Sequence, residues 1–253
     1  MANPETGWGI AGETFRTLGA LERLGADTWF RLGDLDMATH VRRTERLQSG
    51  VTLSQATREL ASALGIRHPL VPMSDDRVRT IAVTGQGDLA FQEYFVHRRC
   101  EPCITGVRFD GAATAQPSPG FQAALATATA IVYCPSNPLV SIGPVLALAG
   151  VRDAITAFAG PRIAVSPIVG GQALRGPAAK MMAELHEEVS CVGVARRYLG
   201  ACDAVVIDTV DGAHAPAIEA MGLRASVTNT IMSTDRDKDA LARHIVDLIE
   251  TWT

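Results

Sequence analysis

The sequence predicts an α/β fold: a mostly parallel, Rossmann-like sheet in a three-layer arrangement, with an inserted helical and β-hairpin region. Three observations carry this expectation. From residue 121 onward, the short β-branched bursts AIVYC (130–134), RIAVS (162–166) and DAVVID (203–208) alternate with helical stretches, the pattern of parallel strands joined by crossover helices. Before that point the rhythm differs, with helical spacing over 13–64 and strand signals over 79–109. The 253 residues, 47% hydrophobic and 20% charged, suit a globular α/β domain. Such a chain buries about 70–75% of its unfolded surface and needs no disulfides. We read residues 1–253 as a single domain, with the helical and hairpin part over 1–120 and the strand–helix part over 121–253.

The elements follow in order. Residues Glu13 to Leu24 place Phe15, Leu18, Leu21 and Leu24 three apart, on one helical face. WFRLGDLDMATHVRRT (29–44) reads as a loop running into a helix. Thr52 is placed to cap a helix from Leu53 to Leu64, with Leu53, Ala56, Leu60 and Leu64 on one side. RTIAV, the turn Gly85-Gln86-Gly87 and LAFQEYFV predict a hairpin, and GVRF (106–109) a third strand. GAATAQPSPG is a loop. The last helix is expected over about Asp235–Glu250, with Ala240, Leu241, His244, Ile245 and Leu248 on one side.

Net charge is −4, from 23 Lys+Arg against 27 Asp+Glu. That balance argues against nucleic-acid binding, which wants a basic face, yet a local pocket can still bind an anion. The start, MANPETGWGI, shows no basic region followed by an apolar one. The longest nearly apolar run, residues 139–151, is about five residues short of a membrane span. No membrane partner and a cytoplasmic location are therefore expected. The five cysteines are odd in number, which disfavours a disulfide framework.

Open parallel sheets bind ligands at the carboxyl ends of their strands, so the loops there draw attention first. Cys134-Pro135-Ser136-Asn137-Pro138, followed by Ser141-Ile142-Gly143-Pro144, sets hydrogen-bonding side chains ahead of a helix whose free N–H groups attract anions. A rigid turn that binds nothing is the bland alternative. Ser166-Pro167-Ile168-Val169-Gly170-Gly171 runs on to Gly176-Pro177-Ala178-Ala179-Lys180. Its glycines permit close backbone approach, and Pro177 suits a first helical turn. Gly171 and Gly176 have P-loop spacing, but Pro177 stands where that motif needs Lys. The loop can present amides to a phosphate beside Lys180, or be a plain glycine-rich turn.

Gly33-Asp34-Leu35-Asp36-Met37-Ala38-Thr39-His40 gathers two carboxylates, a hydroxyl and an imidazole, although Asp36 can simply cap the next helix and His40 be an ordinary helix residue. Asp75 and Asp76 suit a metal, a base or a turn. Cys100 and Cys103, with His97 upstream, lack the second pair that a structural zinc site needs. No G-x-G-x-x-G lies between a strand and a helix, and no G-x-S-x-G elbow is present.

Together these strings resemble the 2-phospho-L-lactate transferases and their phosphoenolpyruvate-transferring relatives. The matching residues are GWGIAGETF (7–15), LGDLDMATHVRRT (32–44), PMSDDRVRT (72–80), FQEYFV (91–96), RRCEP (98–102), CPSNPLVSIGPVLAL (134–148), AVSPIVGG (164–171), GPAAKM (176–181) and NTIM (229–232). Each is weak alone, but nine in order across the chain are strong.

The resemblance implies a reaction and its partners. A GDP-linked donor carries phospholactate or phosphoenolpyruvate, a deazaflavin precursor accepts the phosphoacid on its terminal ribityl hydroxyl, and GMP leaves. It also implies Mg2+ and a homodimer. Pro135, Ser136, Asn137, Ser141, Ser166, Gly170, Gly171, Gly176 and Lys180 would form the nucleotide and phosphate side. Arg31, Gly33, Thr39 and His40 would hold the acceptor, and Asp34 and Asp36 would be catalytic, orienting its hydroxyl or holding the metal's water shell. No metal ligands are assigned. Leu35 stands where the family's G-D-R-D loop usually has Arg. Family members carry a further amino-terminal strand, glycine-rich loop and aspartate motif before the point where Met1 stands, so low activity is expected of the chain as given. A competing reading is a nucleotide-sugar-binding regulator, similar to the gluconeogenesis-factor relatives. GDLDMATH and FQEYFV favour the transferase.

Overall fold

The computed structural model describes residues 9–252. Gly7 and Trp8 of the first family string, and the start of the chain, lie outside the described residues. Three helices come first: α1 (Arg16–Arg23), α2 (Asp34–Gln48) and α3 (Leu53–Ala63). Thr52 caps α3 as expected, in a reciprocal box with Gln55. An antiparallel sheet follows, β1 (Arg79–Thr84), β2 (Gly87–Ala90) and β3 (Ile104–Asp110), in the order β2-β1-β3.

The rest of the chain builds the parallel sheet and its cover. It runs α4 (Pro119–Thr127), β4 (Ile131–Tyr133), α5 (Gly143–Leu146), α6 (Val151–Thr156) and β5 (Arg162–Val165). A short ribbon, β6 (Ile168–Val169) with β7 (Gln172–Ala173), leads to α7 (Ala178–Glu184) and α8 (Cys191–Arg197). Then come β8 (Ala204–Asp208), α9 (Ala215–Glu219), β9 (Arg224–Thr228) and α10 (Asp235–Glu250). The sheet order is β4-β5-β8-β9, with every pair parallel.

Alternation along the strands explains the layers. Ile163, Val165, Ala204 and Val206 face α10, packing on Leu241 and Leu248. Ala164, Val205 and Ile207 face the other way, into a larger core that includes Val194, Ala195 and Tyr198 of the α8 region. That core also takes in Ala82, Tyr94 and Ile104, so both halves of the chain share it. Strands covered on both faces read as continuous apolar bursts, and all five β8 residues are buried. Among the described residues no helix is long and apolar enough to cross a membrane.

Four expectations are corrected. LAFQEYFV is not one strand: β2 ends at Ala90, and Glu93–His97 forms a π-helical turn. Helical spacing lets Phe91 stack on Phe95, with centroids 5.6 Å apart, and tertiary burial of Tyr94 outweighs the β-preference of aromatic residues. The first helix starts at Arg16 rather than Glu13 and buries none of its residues; Leu24 is 82% exposed. β9 and the β6–β7 ribbon are additional strands. β9 sits at the sheet edge and alternates Arg224, Ser226 and Thr228 with Ala225 and Val227, so no apolar burst announces it. Finally, Ala240 is exposed, while Leu241 and Leu248 carry the buried face of α10.

Candidate functional site

The four parallel strands end at one edge, and the loops there are tied to one another. After β4, the Ser136 amide closes a tight turn on the Cys134 carbonyl at 2.6 Å. Asn137 then caps the π-helical turn Pro138–Ile142: its Oδ1 accepts from the Leu139 amide at 2.9 Å. Its Nδ2 lies 3.5 Å from the Met181 sulfur, which brings the β4 loop against α7. Pro135, Ser136 and Asn137 are half-buried, and Ser141 is exposed.

After β5, Ser166 is buried, with its hydroxyl donating to the Ile168 carbonyl at 2.9 Å. Gly170 and Gly171 form the two-residue turn between β6 and β7, at φ of 56° and 74°. Positive φ at both centres matches a tight hairpin turn that non-glycine residues resist. Gly176 is also left-handed, at φ 73°. Lys180 is partly committed: its ammonium pairs with Glu184, lies 3.4 Å from the Pro102 carbonyl and sits 5.9 Å over the Tyr94 ring.

Two residues without a motif of their own in the sequence hold these loops. Asp208, at the end of β8, accepts the Thr230 amide at 2.8 Å, the Val210 amide at 3.1 Å and the Thr209 and Thr230 hydroxyls. Burial pushes its carboxyl up, but these donors outweigh burial and hold it below the usual range. Asp211 is buried and takes the Gly170 amide on both oxygens, at 3.0 and 3.2 Å. The segments after β5, β8 and β9 are thus fastened together through two carboxylates. The available signal was position, since both follow a β-branched burst at a strand end.

On the acceptor side, α1 and α2 begin together and cap each other. The Asp34 carboxylate accepts the Thr14 hydroxyl and the amides of Arg16 and Thr17, the latter two at 3.2 and 3.0 Å. Glu13 returns the contact, with Oε1 accepting the Leu35 amide at 2.5 Å. The Thr14 hydroxyl and the Thr17 amide hold the Asp34 carboxyl down at about 2. Gly33 leaves room for Glu13, because a Cβ there would lie 2.0 Å from its side-chain carbons. The alternative that Asp36 caps the next helix does not hold: the cap position is Gly33, and Asp36 stands in the first turn. Thr39 bonds back to the Leu35 carbonyl at 3.3 Å, His40 is exposed on α2, and the Arg31 guanidinium lies 4.7 Å over the Phe15 ring.

Among the described residues, no hydrogen bond joins Asp34 or Asp36 to the 134–180 loops. Nor do three or more His, Cys, Asp or Glu side chains converge on a metal position there. Asp75 accepts the Ser54 amide at 2.6 Å and Asp76 the Gln116 amide at 2.8 Å, so this pair clasps loops. Among the described residues, then, no side-chain cluster would hold a metal without help from substrate phosphates. A cavity of about 320 Å³ lies between β3 and the Pro138–Leu146 helices, lined by Val107, Phe109, Leu139 and Arg152 among others. It contains none of the site residues expected from the sequence.

An open parallel sheet with glycine, serine and asparagine loops at its carboxyl edge is the plan of an α/β protein that binds its ligand at that edge. Residues 14–250 match the family model described as 2-phospho-L-lactate transferase CofD. A 2-phospho-L-lactate transferase of Methanosarcina acetivorans is 38% identical over 96% of this chain and 79% of that protein. A phosphoenolpyruvate transferase of Streptomyces griseus is 41% identical over 98% of this chain and 80% of that one. A crystal structure of a Bacillus halodurans protein shares the fold, with a TM-score of 0.59 at 13% identity, over 85% of this chain and 72% of that one. The chain belongs to the 2-phospho-L-lactate transferase family and is a transferase.

Proposed function

We propose that the protein moves a phospholactyl or phosphoenolpyruvyl group from a GDP-linked donor to the terminal ribityl hydroxyl of 7,8-didemethyl-8-hydroxy-5-deazariboflavin, in the making of coenzyme F-420. The observation that carries this is positional. The family strings over 134–148, 164–171 and 176–181 fall at the carboxyl ends of β4 and β5 and lead into α7, where a diphosphate finds backbone amides.

In the proposed step the acceptor hydroxyl oxygen attacks the β-phosphorus. A new P–O bond forms, the P–O bond to the bridging oxygen breaks, the hydroxyl proton passes to solvent or a carboxylate, and GMP leaves with that oxygen. Such transfers rest mainly on positioning and charge stabilisation. Asn137 and the amides of the 166–180 segment would orient the diphosphate, with Lys180 beside it. Arg31, Gly33, Thr39 and His40 would border the acceptor. Asp34, whose carboxylate already accepts from Thr14, Arg16 and Thr17, and Asp36 in the first turn of α2 are assigned to orienting the acceptor hydroxyl. Magnesium stays an expectation of the family likeness, and no step is routed through it. A homodimer and a cytoplasmic setting complete the reading; all five cysteines are free, as in reducing compartments.

The test is to incubate the protein with the deazaflavin, magnesium and each donor in turn. Both donors belong in the assay, because relatives of both names match to nearly the same degree. GMP and a more acidic deazaflavin are the expected products. No GMP with any phosphoacid donor, from this chain and from a form extended upstream in its reading frame alike, would overturn the reading, and binding of UDP-sugars without deazaflavin would favour a nucleotide-sugar-binding regulator.

A further inference from the structure

The cavity of about 320 Å³ has apolar residues on one side and arginines on the other. β3 supplies Val107 and Phe109, and the turn after β4 supplies Leu139 and Ile142. The opposite wall comes from Arg152 of α6 and from Arg197 and Tyr198 at the end of α8. α6 and α8 run back toward the starts of β5 and β8, which carries this wall away from the loops that follow the strands. β3 and α5 close one side, since a Cβ on Gly143 would lie 2.7 Å from the Phe109 ring. The volume falls at the lower end of the range that small-molecule sites occupy, about 300–1,000 Å³.

Its charge is one-sided. No acidic side chain lines it. Arg197 is committed along one edge: its Nε donates to Glu187 Oε2 at 2.5 Å, and its Nη2 to Glu187 Oε1. That pair is neutral together and leaves Arg197 Nη1 without an acceptor among the described residues. Arg152 is exposed, at the rim. Its carbonyl accepts the Thr156 hydroxyl at 2.9 Å, while its guanidinium joins no ion pair among the described residues. One positive charge is thus left beside an apolar pocket. A guanidinium presents a planar fork that matches a carboxylate. A single remaining charge suits a monoanion, whereas a phosphate monoester brings a charge nearer to two and finds no second unpaired cation in this lining.

We propose that this cavity is a binding site for a small monocarboxylate with an apolar body, separate from the strand-end loops. The carboxylate is held at the rim by the Arg152 guanidinium, with Arg197 Nη1 beside it. The body lies against Val107, Phe109 and Leu139. The pocket and its charge stand whatever group the strand-end loops transfer, so the site goes beyond the transferase reading and does not depend on it.

The experiment measures, by calorimetry, binding of 3-phenylpropanoate, of its uncharged amide and of inorganic phosphate. The proteins are the unmodified chain and the variants Arg152→Gln, Arg152→Lys and Ala147→Leu, the last of which fills the cavity from α5's end. 3-Phenylpropanoate is expected to bind saturably below about 10 mM, and the amide at least about tenfold more weakly. Arg152→Gln and Ala147→Leu should each weaken the carboxylate by about tenfold or more, and Arg152→Lys by less. No saturable binding up to about 10 mM overturns the site, as does an amide that binds as well as the carboxylate. Unchanged affinity in folded Arg152→Gln overturns the placement of the carboxylate. Phosphate that displaces the compound at equal concentration overturns the ligand class, and competition by GDP overturns the separation from the strand-end loops. If Ala147→Leu does not fold, Arg152→Gln decides the matter, because its exposed side chain is not needed in the core.

Discussion

Asn137 shows how one side chain can hold two roles that a single substitution confuses. Its Oδ1 caps the turn after β4, so Asn137→Ala should cost about 1 kcal/mol of stability. In a desolvated site the loss of a ligand hydrogen bond costs about 1–3 kcal/mol of donor affinity. Asn137→Ser separates the two, because serine keeps the cap and loses the amide. Weakened donor binding at unchanged stability would place the amide in the site, whereas unchanged donor affinity in both variants would leave a rigid turn. Asp208 makes a second case. Replacing it with Asn sets a donor against one of the two amides, Thr230 or Val210, that its carboxylate oxygens accept, and should cost about 1–3 kcal/mol in urea unfolding. The sign with pH follows from the lowered carboxyls of Asp34, Asp203 and Asp208. Their contribution is complete above the ordinary carboxylate value, near 4. It is lost as pH falls through the folded values, which for Asp34 is about 2. Stability should therefore fall as pH drops below about 4, and Asp208→Asn should show a shallower dependence; an equal slope would mean that the Asp208 carboxyl titrates alike in the folded and unfolded chain. Asp208 and Glu13 were not legible as site-builders in the sequence, because an acidic residue reads as a turn or a cap until its distant partner is known. The partners here are Thr230, 22 residues on, and Leu35, also 22 residues away.

At the scale of elements, what was legible depended on burial. The bursts 130–134, 162–166 and 203–208 and the helix 235–250 could be read because the strands pack on two faces and α10 lays Leu241 and Leu248 on one of them. β9 could not, because its edge position tolerates Arg224 and Ser226; Ser226 instead meets His244 of α10 at 2.8 Å. The 91–97 segment misled because aromatic residues favour strands in general, while here the Phe91–Phe95 stack and buried Tyr94 decide. The mutual capping of α1 and α2 was likewise invisible, although GETF and GDLD are its two halves. It makes a definite expectation for Gly33→Ala. The added Cβ must displace Glu13, which strands the Leu35 amide, so both helices should loosen at once. Hydrogen exchange would register faster exchange across 16–48 with little change in β5 and β8. Loosening of α2 alone would show that the two caps are independent.

For the whole molecule, the unequal burial of the two parts predicts how it comes apart. Among the described residues α1 and α2 bury nothing, and α3 buries only Ala56 and Ala61. The large core includes residues of β1, Tyr94 and the parallel sheet, while the second lies between that sheet and α10. Because burial of apolar surface supplies most of folding stability, the 16–63 helices belong at the low end of local stability. Trp29 reports on that part, and Trp252, which packs against the α10 cluster beside Arg224, reports on the sheet. With each of these tryptophans as the sole emitter, urea should shift the Trp29 signal before the Trp252 signal, and limited proteolysis should cut within 16–63 first. Non-coincident transitions of this kind mark a departure from two-state unfolding. Deazaflavin binding on the proposed acceptor side, Arg31 to His40, should then draw the two transitions together, since a ligand held by the weaker part stabilises it by mass action. Coincident transitions without ligand would show that the mutual caps and the stacking of His97 on Trp29, with centroids 4.9 Å apart, already bind the helices to the core.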